Sequence, residues 1–162
     1  LYGEVARMAQ LASGNTLLDL YCGAGTIGLS MAAACGQLVG VEIVPEAVEN
    51  AGANAARMGA QNARFLCADA ASAAQQLLAE GLRPDVVVLD PPRKGCDEAT
   101  LSAVATMAPQ RVVMVSCNAA TAARDAAWLA AHGYAPQAVR PVDMFPRTRH
   151  VEAVIGFARQ PF

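Results

Sequence analysis

A short apolar segment that runs into a glycine-rich loop constrains the fold of this chain most strongly. Residues 17–20 are apolar except for Asp19, and Gly23, Gly25 and Gly28 then follow in the spacing G-x-G-x-x-G. Glycine at such positions lets the backbone turn sharply and approach a ligand closely. The spacing suits the pyrophosphate of a dinucleotide and equally a nucleoside without phosphate, so the loop alone leaves the ligand open.

The order of apolar strand and helix-like segment recurs along the chain. It predicts strands at 16–20, 38–42, 63–67, 85–89 and 111–116, with helices at 1–12, 26–35, 45–58, 72–80, 97–105 and 119–132. Two further strand-like runs, 137–142 and 151–158, are joined by a loop too short for a parallel crossover, so we expect an antiparallel hairpin. The pattern predicts an α/β fold, a three-layer sandwich whose mostly parallel sheet has an antiparallel last strand.

The composition excludes several classes of protein. A net charge of −2 is not that of a protein that binds nucleic acid over its whole surface, so any such affinity must be local. No apolar run approaches the roughly 18 residues of a membrane span, which predicts no membrane association. The five cysteines contain no C-x-x-C pair, which predicts reduced thiols, a cytoplasmic location and no metal site; they are Cys22, Cys35, Cys67, Cys96 and Cys117.

Polar side chains stand at the carboxyl ends of the predicted strands, where an open α/β sheet binds its ligand. Glu42 lies about twenty residues beyond the first glycine, where an acid can accept the ribose hydroxyls of either kind of nucleotide ligand. Asp90-Pro-Pro-Arg93 is more selective, because the prolines end the strand and hold the carboxylate rigidly. Such an acid favours a planar base or a cationic sulfonium, and nicotinamide dehydrogenases have no common need for it.

These features together resemble a known family. Asp19-Leu-Tyr-Cys-Gly-Ala-Gly25, the Asp-Pro-Pro motif and the antiparallel last strand are similar to the Rossmann-like, class I S-adenosylmethionine-dependent methyltransferases. Three later motifs resemble, in order and spacing, the catalytic domain of the RNA uracil-5-methyltransferases, which make 5-methyluridine in ribosomal and transfer RNA. They are Leu89-Asp-Pro-Pro-Arg-Lys-Gly95, Val115-Ser-Cys-Asn118 and Pro141-Val-Asp-Met-Phe-Pro-Arg-Thr-Arg-His-Val-Glu152.

The resemblance covers nearly the whole chain and implies specific roles for its residues. It implies that Cys117 is the nucleophile, Glu152 the general base and S-adenosyl-L-methionine the cofactor. The implied cofactor contacts are Tyr21, Glu42, Asp69 and Asp90. We further predict that Gly23 and Gly25 of the glycine loop approach the cofactor, and that Arg93 and Asn118 contact the substrate. Two positions depart from the family pattern, because Ala119 stands where a proline is common and Thr26 where some members carry asparagine.

The resemblance also implies a context for the chain. We expect residues 1–162 to be the catalytic domain of a longer protein whose RNA-binding parts precede it, with 23S ribosomal RNA rather than transfer RNA as the substrate. Three alternatives stay open: a 5-methylcytosine RNA methyltransferase, a nicotinamide oxidoreductase suggested by the glycine triplet alone, and a cofactor-binding module without activity. Cys117 taken alone is also typical of an inert buried thiol. The sequence leaves the oligomeric state open.

Overall fold

The computed structural model describes residues 1–144, 146–148 and 151–161, in which strands and helices alternate. The helices are α1 (Tyr2–Ala9), α2 (Thr26–Ser30), α3 (Pro45–Met58), α4 (Ala70–Ala79), α5 (Glu98–Met107) and α6 (Ala119–Ala131). The strands are β1 (Thr16–Leu20), β2 (Gln37–Glu42), β3 (Ala63–Cys67), β4 (Val86–Leu89), β5 (Arg111–Ser116), β6 (Tyr134–Val142) and β7 (Glu152–Arg159).

The strands form one sheet in the order β3-β2-β1-β4-β5-β7-β6. Strands β1 to β5 pair in parallel, whereas β7 runs antiparallel to both of its neighbours, β5 and β6. The predicted hairpin and the predicted antiparallel last strand are therefore confirmed. The β1–β4 pair is where the strand order reverses, and such a switch point opens a crevice at the carboxyl ends of the strands.

Helices cover both faces of the sheet, which gives the three predicted layers. One core cluster joins the sheet to α1, α2 and α3, and a second joins it to α4, α5 and α6. Alternate residues of β1 supply both, since Leu17 packs in the first cluster and Leu18 and Leu20 in the second. All three leucines are fully buried, and each contributes about 1.5 to 3 kcal/mol of transfer free energy.

Several predicted elements differ from the structure at their ends, and three of them differ by three residues or more. Helix α2 stops at Ser30, and a 3-10 turn, Ala32–Ala34, takes the place of its predicted last turn. Helix α1 ends at Ala9 because Gln10 adopts the left-handed conformation. Strand β6 begins at Tyr134, three residues earlier than expected, and its register shifts between Pro136 and Ala138. A bulge lets the edge strand accept a proline that cannot donate to the ladder.

Within the described ranges, no helix combines the length and apolar character that a membrane crossing requires.

Candidate active site

The loop after β1 turns through backbone conformations that favour glycine. Tyr21, Gly23 and Gly25 have φ angles of 64°, 53° and 77°, so the chain leaves the strand through three left-handed residues. A Cβ atom on Gly25 would lie 3.0 Å from the ring of Phe65 and 3.2 Å from Ala51. The loop is therefore packed against α3 and β3, and Tyr21 is turned toward the carboxyl edge of the sheet.

Carboxylates of the protein itself occupy two backbone amides of this loop. The Gly23 N–H donates to Oε2 of Glu42 over 3.0 Å, and the Gly28 N–H donates to Oδ2 of Asp19 over 2.9 Å. A pyrophosphate bound to such a loop would compete with Glu42 for the Gly23 amide and would face its negative charge. The arrangement favours a ligand without phosphate over a dinucleotide.

A cleft of about 400 Å³ lies at the carboxyl ends of the strands, at the switch point. Four of the residues predicted to contact the cofactor line it together: Tyr21, Glu42, Asp69 and Asp90. Its lining also includes Asp97 and one cation, Lys94, so carboxylates predominate. An acidic cleft of this size suits a nucleoside that carries a positive charge, as a sulfonium cofactor does. Among the described residues, the lining does not include Gly23 or Gly25, which instead shape the loop behind it.

Asp19 is a fully buried carboxyl group behind the cleft. Its Oδ1 has no hydrogen-bond partner among the residues that the structure describes, whereas Oδ2 accepts the Gly28 amide. Burial raises the pKa of Asp19 to about 7, and the negative charge of Asp90 adds to the shift. An unpaired buried carboxyl oxygen is costly, so a cationic or hydrogen-donating ligand near it would be stabilised.

Asp69 has a second role that its position in the sequence did not reveal. It is the N-cap of α4, and its Oδ1 accepts the Ser72 amide over 2.9 Å. Hydrogen bonding to Ser72 holds the pKa of Asp69 below its usual value. The helix thus begins at Ala70, two residues before the predicted start, because Asp69 satisfies a free amide of its first turn. A fixed cap also fixes the direction in which this carboxylate faces the cleft.

Cys117 and Glu152 meet at the end of the β5–β7 ladder. The last pair of that ladder is Ser116 with Ala153, and the next residue on each strand is Cys117 and Glu152 respectively. Each of the two residues therefore adjoins that last pair, on neighbouring segments at the carboxyl ends of the parallel strands. Glu152 is held from its other side by pairing with Val142 of β6. Two residues 35 positions apart in the sequence thus share one point on the carboxyl edge of the sheet.

Charged groups surround Glu152. Burial raises its pKa, while the positive charge of Arg93 acts in the opposite direction. Burial also raises the pKa of Asp90 to about 6, and the charge of Glu152 adds to that shift. Asp90 therefore connects the cleft with Glu152, because its carboxyl group lines the cleft and the charge of Glu152 raises its pKa.

Comparison with known proteins gives the family. The model of the tRNA (uracil-5-)-methyltransferase family matches residues 4–160. The chain belongs to this family. An uncharacterized RNA methyltransferase of Staphylococcus aureus strain COL is 48% identical over 157 residues, which cover 97% of this chain and 34% of the relative. Another, of Halalkalibacterium halodurans, is 49% identical over 154 residues, which cover 95% of this chain and 34% of the relative. The chain spans about a third of the length of these relatives.

Solved structures agree with the family and the fold. The tRNA (uracil-54, C5)-methyltransferase of Pyrococcus abyssi, in complex with S-adenosyl-L-homocysteine, superposes with a TM-score of 0.78 at 29% identity. It covers 96% of this chain, which corresponds to 37% of that protein. The precorrin-6y C5,15-methyltransferase of Geobacter metallireducens has a TM-score of 0.81 at 16% identity, over 98% of this chain and 88% of that protein, and shows the fold alone. The predicted family and fold class are confirmed.

Asn118, predicted to contact the substrate of this uracil-5-methyltransferase family member, makes protein contacts in the structure. It is the N-cap of α6, and its Oδ1 accepts the Ala120 amide over 3.0 Å. Its Nδ2 donates to the backbone carbonyl of Arg93 over 3.2 Å. Asn118 thus ties the residue after Cys117 to the loop after β4. Ala119, which replaces the family's common proline, supplies the first residue of the helix without disturbing this cap.

Two other cysteines of this family member, Cys22 and Cys96, are structural in character. Cys22 and Cys96 are buried, and burial raises the pKa of each thiol to about 12, which keeps both protonated. Cys117 is partly exposed. In the part of the chain that the structure describes, no cluster of three or more His, Cys, Asp or Glu side chains is arranged to hold a metal ion. Three residues of the late family motif, Phe145, Arg149 and His150, lie outside the described residues.

Sequence reasoning missed several residues of the site. Ile43, Lys94 and Asp97 line the cleft without having been singled out. Asp97 is the N-cap of α5 and accepts the Thr100 amide over 2.7 Å, and Thr100 in turn accepts the hydroxyl of Tyr21. An acid three residues before a threonine, at the start of an apolar periodic run, was the available signal for this cap. Lys94 follows the Asp-Pro-Pro-Arg motif directly, and no pattern marked it.

Proposed function

We propose that this chain transfers a methyl group from S-adenosyl-L-methionine to carbon 5 of a uridine in RNA, through a covalent adduct of Cys117. The observation that carries the proposal is that Cys117 and Glu152 both adjoin the last β5–β7 pair, at the sheet edge that also bears the acidic cleft. Membership of the tRNA (uracil-5-)-methyltransferase family supports it, and so does the named activity of the Pyrococcus abyssi neighbour.

The residues of the cleft fit a cationic nucleoside cofactor. Tyr21, Glu42, Asp69 and Asp90 would hold S-adenosyl-L-methionine, with Glu42 accepting the ribose hydroxyls. When bound, this cofactor supplies an activated methyl group on a sulfonium. The unpaired Oδ1 of Asp19 and the neighbouring Asp90 favour a positive charge at this end of the sheet. The neighbour that was solved with S-adenosyl-L-homocysteine supports the same choice of ligand.

Cys117 and Glu152 divide the chemistry between them. Carbon 5 of uracil is a weak nucleophile, and addition of the Cys117 thiolate at carbon 6 makes carbon 5 an enolate carbon that can attack a methyl group. The hydrogen on carbon 5 must then leave, and Glu152 accepts it as a proton. The electron pair of that C–H bond re-forms the C5–C6 double bond while the thiolate leaves carbon 6.

Arg93 and Asn118 would prepare the site for the base. Arg93 lowers the pKa of Glu152, which favours the carboxylate that must accept a proton. Its guanidinium is also suited to hold a uracil carbonyl oxygen. Asn118 acts through the loop that carries Arg93, because its side chain holds the carbonyl of that residue.

The substrate is proposed to be a uridine of ribosomal RNA, which places the activity in the cytoplasm. The net charge of −2 means that RNA binding by this chain would depend on a local surface around the site. The Pyrococcus abyssi neighbour is named for transfer RNA, so both RNAs belong in the test.

The proposal is tested by incubating the chain with methyl-labelled cofactor and short RNAs. One RNA contains uridine without cytidine, and its partner contains cytidine without uridine. We expect label in the uridine RNA only. Label in the cytidine RNA only would show that the enzyme methylates cytosine and not uracil. Absence of label in both would contradict the activity. Mapping of methylated positions in 23S ribosomal and transfer RNA then distinguishes the two substrates.

Calorimetry tests the ligand independently of turnover. S-adenosyl-L-homocysteine is expected to bind in the acidic cleft, and NAD is expected not to bind because its pyrophosphate would meet Glu42. Tighter binding of NAD would contradict the assignment of the cleft.

A further inference from the structure

The first turns of α6 hold the loop that follows β4. Nδ2 of Asn118 and Oγ1 of Thr121 both donate to the backbone carbonyl of Arg93, each over 3.2 Å. One turn later, Nη2 of Arg124 donates to the carbonyls of Lys94 over 3.1 Å and of Cys96 over 2.9 Å. The side chains of Asn118, Thr121 and Arg124 thus bind three of the four carbonyl groups of the loop segment 93–96.

Asp125 anchors the contact between α6 and the loop after β4. Its side chain is fully buried, and its Oδ2 accepts the Cys96 amide over 2.8 Å. Its Oδ1 accepts Nε and Nη2 of Arg124 over 2.8 and 2.6 Å. Both oxygens are therefore paired, and the carboxylate also orients the guanidinium that binds the loop carbonyls. Only the carboxylate of this ion pair is buried, since the Arg124 side chain is 56% exposed, and its complete hydrogen bonding fixes the arrangement of its neighbours.

Gly95 makes the close approach of loop and helix possible. Its φ of 78° is left-handed, and its N–H donates to the Pro92 carbonyl over 2.8 Å to close the turn. A Cβ atom there would lie 2.5 Å from Nη2 of Arg124 and 2.6 Å from Oδ2 of Asp125. A larger residue at this position would have to displace the Arg124 guanidinium and the buried Asp125 carboxylate, and its backbone would be strained.

The same helix and loop carry groups of the proposed chemistry. Cys117 precedes α6 directly, and Arg93, whose charge lowers the pKa of Glu152, belongs to the loop that α6 holds. Pro91 and Pro92 stiffen the chain between Asp90 and the held segment, so a shift of the segment moves Arg93 as well. The helix therefore sets the position of Arg93 relative to Cys117 and Glu152.

We propose that Asp125 is a positioning residue for methyl transfer, which acts through Arg124 and the Cys96 amide to keep Arg93 beside the reacting base. This inference rests on the proposed function. Lys94 lines the cleft from the held segment, whereas Tyr21, Glu42 and Asp69 follow other strands. Loss of the contact is therefore expected to impair turnover far more than cofactor binding. A displacement of about 1 Å at a reacting centre costs on the order of 100-fold in rate.

Asp125→Ala and Gly95→Ala break the contact from its two sides. Each is expected to lower kcat on the uridine RNA by about 10- to 100-fold, with little change in the KM for the cofactor. Asp125→Asn keeps an acceptor for the Cys96 amide and is expected to restore part of kcat. Thr121→Val removes one hydroxyl that donates to the Arg93 carbonyl, and it tests the same loop with a milder change if Asp125→Ala does not fold.

Gly59→Ala is the matched control for Gly95→Ala. Gly59 has a similar φ of 68°, and a Cβ atom there would have no neighbour within 4 Å, so this variant carries the backbone strain without the collision. It is expected to unfold at a lower temperature and to keep its kcat. Amide hydrogen exchange at Cys96 supplies a readout that needs no RNA, and faster exchange is expected in Asp125→Ala.

The outcomes separate the two proposals. An active wild-type chain whose folded Asp125→Ala variant keeps its kcat would overturn the positioning role alone, as would an equal loss of kcat in Gly59→Ala. Unchanged exchange at Cys96 in Asp125→Ala would overturn it without any assay of turnover. A wild-type chain that methylates no uridine RNA would overturn the proposed function, and the positioning role with it.

Discussion

Cys117 and Glu152 each lie one residue beyond the last pair, Ser116 and Ala153, of the antiparallel β5–β7 ladder. The juxtaposition depends on β7 inserting between β5 and β6, so that the start of the last strand meets the end of the fifth. A planar base at this point would have a thiol and a carboxyl group within reach, and the acidic cleft lies along the same edge.

Replacement of the proposed nucleophile should separate binding from turnover. Cys117→Ala is expected to lower methylation of uridine RNA by more than about 10³-fold, because the adduct at carbon 6 no longer forms. Affinity for S-adenosyl-L-homocysteine, measured by calorimetry, should stay the same, since Cys117 is not part of the cleft lining among the described residues. Cys35→Ala is the control, because this buried thiol lies before β2 at the opposite edge of the sheet. Full activity of Cys117→Ala would exclude the covalent mechanism.

Replacement of the proposed base should trap an intermediate. In Glu152→Gln the thiolate adds and the methyl group transfers, but the amide cannot accept the proton of carbon 5. The RNA then stays attached to Cys117, and a protein band shifted by the mass of the RNA is expected on a denaturing gel. The double variant with Cys117→Ala is the control and should show no shifted band. Normal turnover of Glu152→Gln would assign the base to another residue.

The pH dependence of turnover should report the charge of Arg93. Glu152 must be ionised to accept a proton, so kcat falls as the pH drops through its pKa, which burial raises and Arg93 lowers. Arg93→Gln removes the lowering charge, and the acid limb of the kcat profile is expected to move to higher pH. Arg83→Gln is the control, because Arg83 is exposed and donates to the carbonyls of Leu78 and Leu82 before β4. An acid limb that moves equally in both variants would contradict this coupling.

The stability of the protein should decrease with rising pH because of Asp19. The pKa of Asp19 is about 7 in the folded chain, against about 3.9 for an unfolded aspartate, so the folded state binds more protons between these values. This contribution to the free energy of unfolding is fully present below about pH 4 and is lost as the pH rises through about 7.

Asp19→Asn tests this linkage. The variant keeps an acceptor for the Gly28 amide and cannot ionise, so its free energy of unfolding should change less between pH 5 and pH 8 than that of the wild-type chain. Denaturant titrations at the two pH values give the comparison. Asp90, whose pKa burial raises to about 6, keeps a slope of the same sign in the variant. Identical slopes in the two proteins would show that Asp19 ionises as freely in the folded chain as in the unfolded one.

Local sequence was sufficient for most of the secondary structure. The apolar runs before Asp90 and Cys117 are too short for helices and are flanked by turn residues, so both strands were correctly predicted. The ends of elements were predicted less well, because they depend on contacts made elsewhere. Asp69 starts α4 early by capping it, and Gln10 ends α1 in a left-handed conformation that its sequence does not mark.

The sequence alone determined the family, the βα order and the set of polar residues at the strand ends, because strand and helix periods and short motifs are properties of neighbouring residues. Only the tertiary structure decided which of these residues meet. The amides of Gly23 and Gly28 donate to Glu42 and Asp19, which belong to other elements of the fold. The β5–β7 register likewise brings Cys117 and Glu152 to the same end of the ladder. The hydrogen bond from the Cys96 amide to Asp125 is equally non-local, because hydrogen bonds between distant segments depend on the packing of the whole sheet.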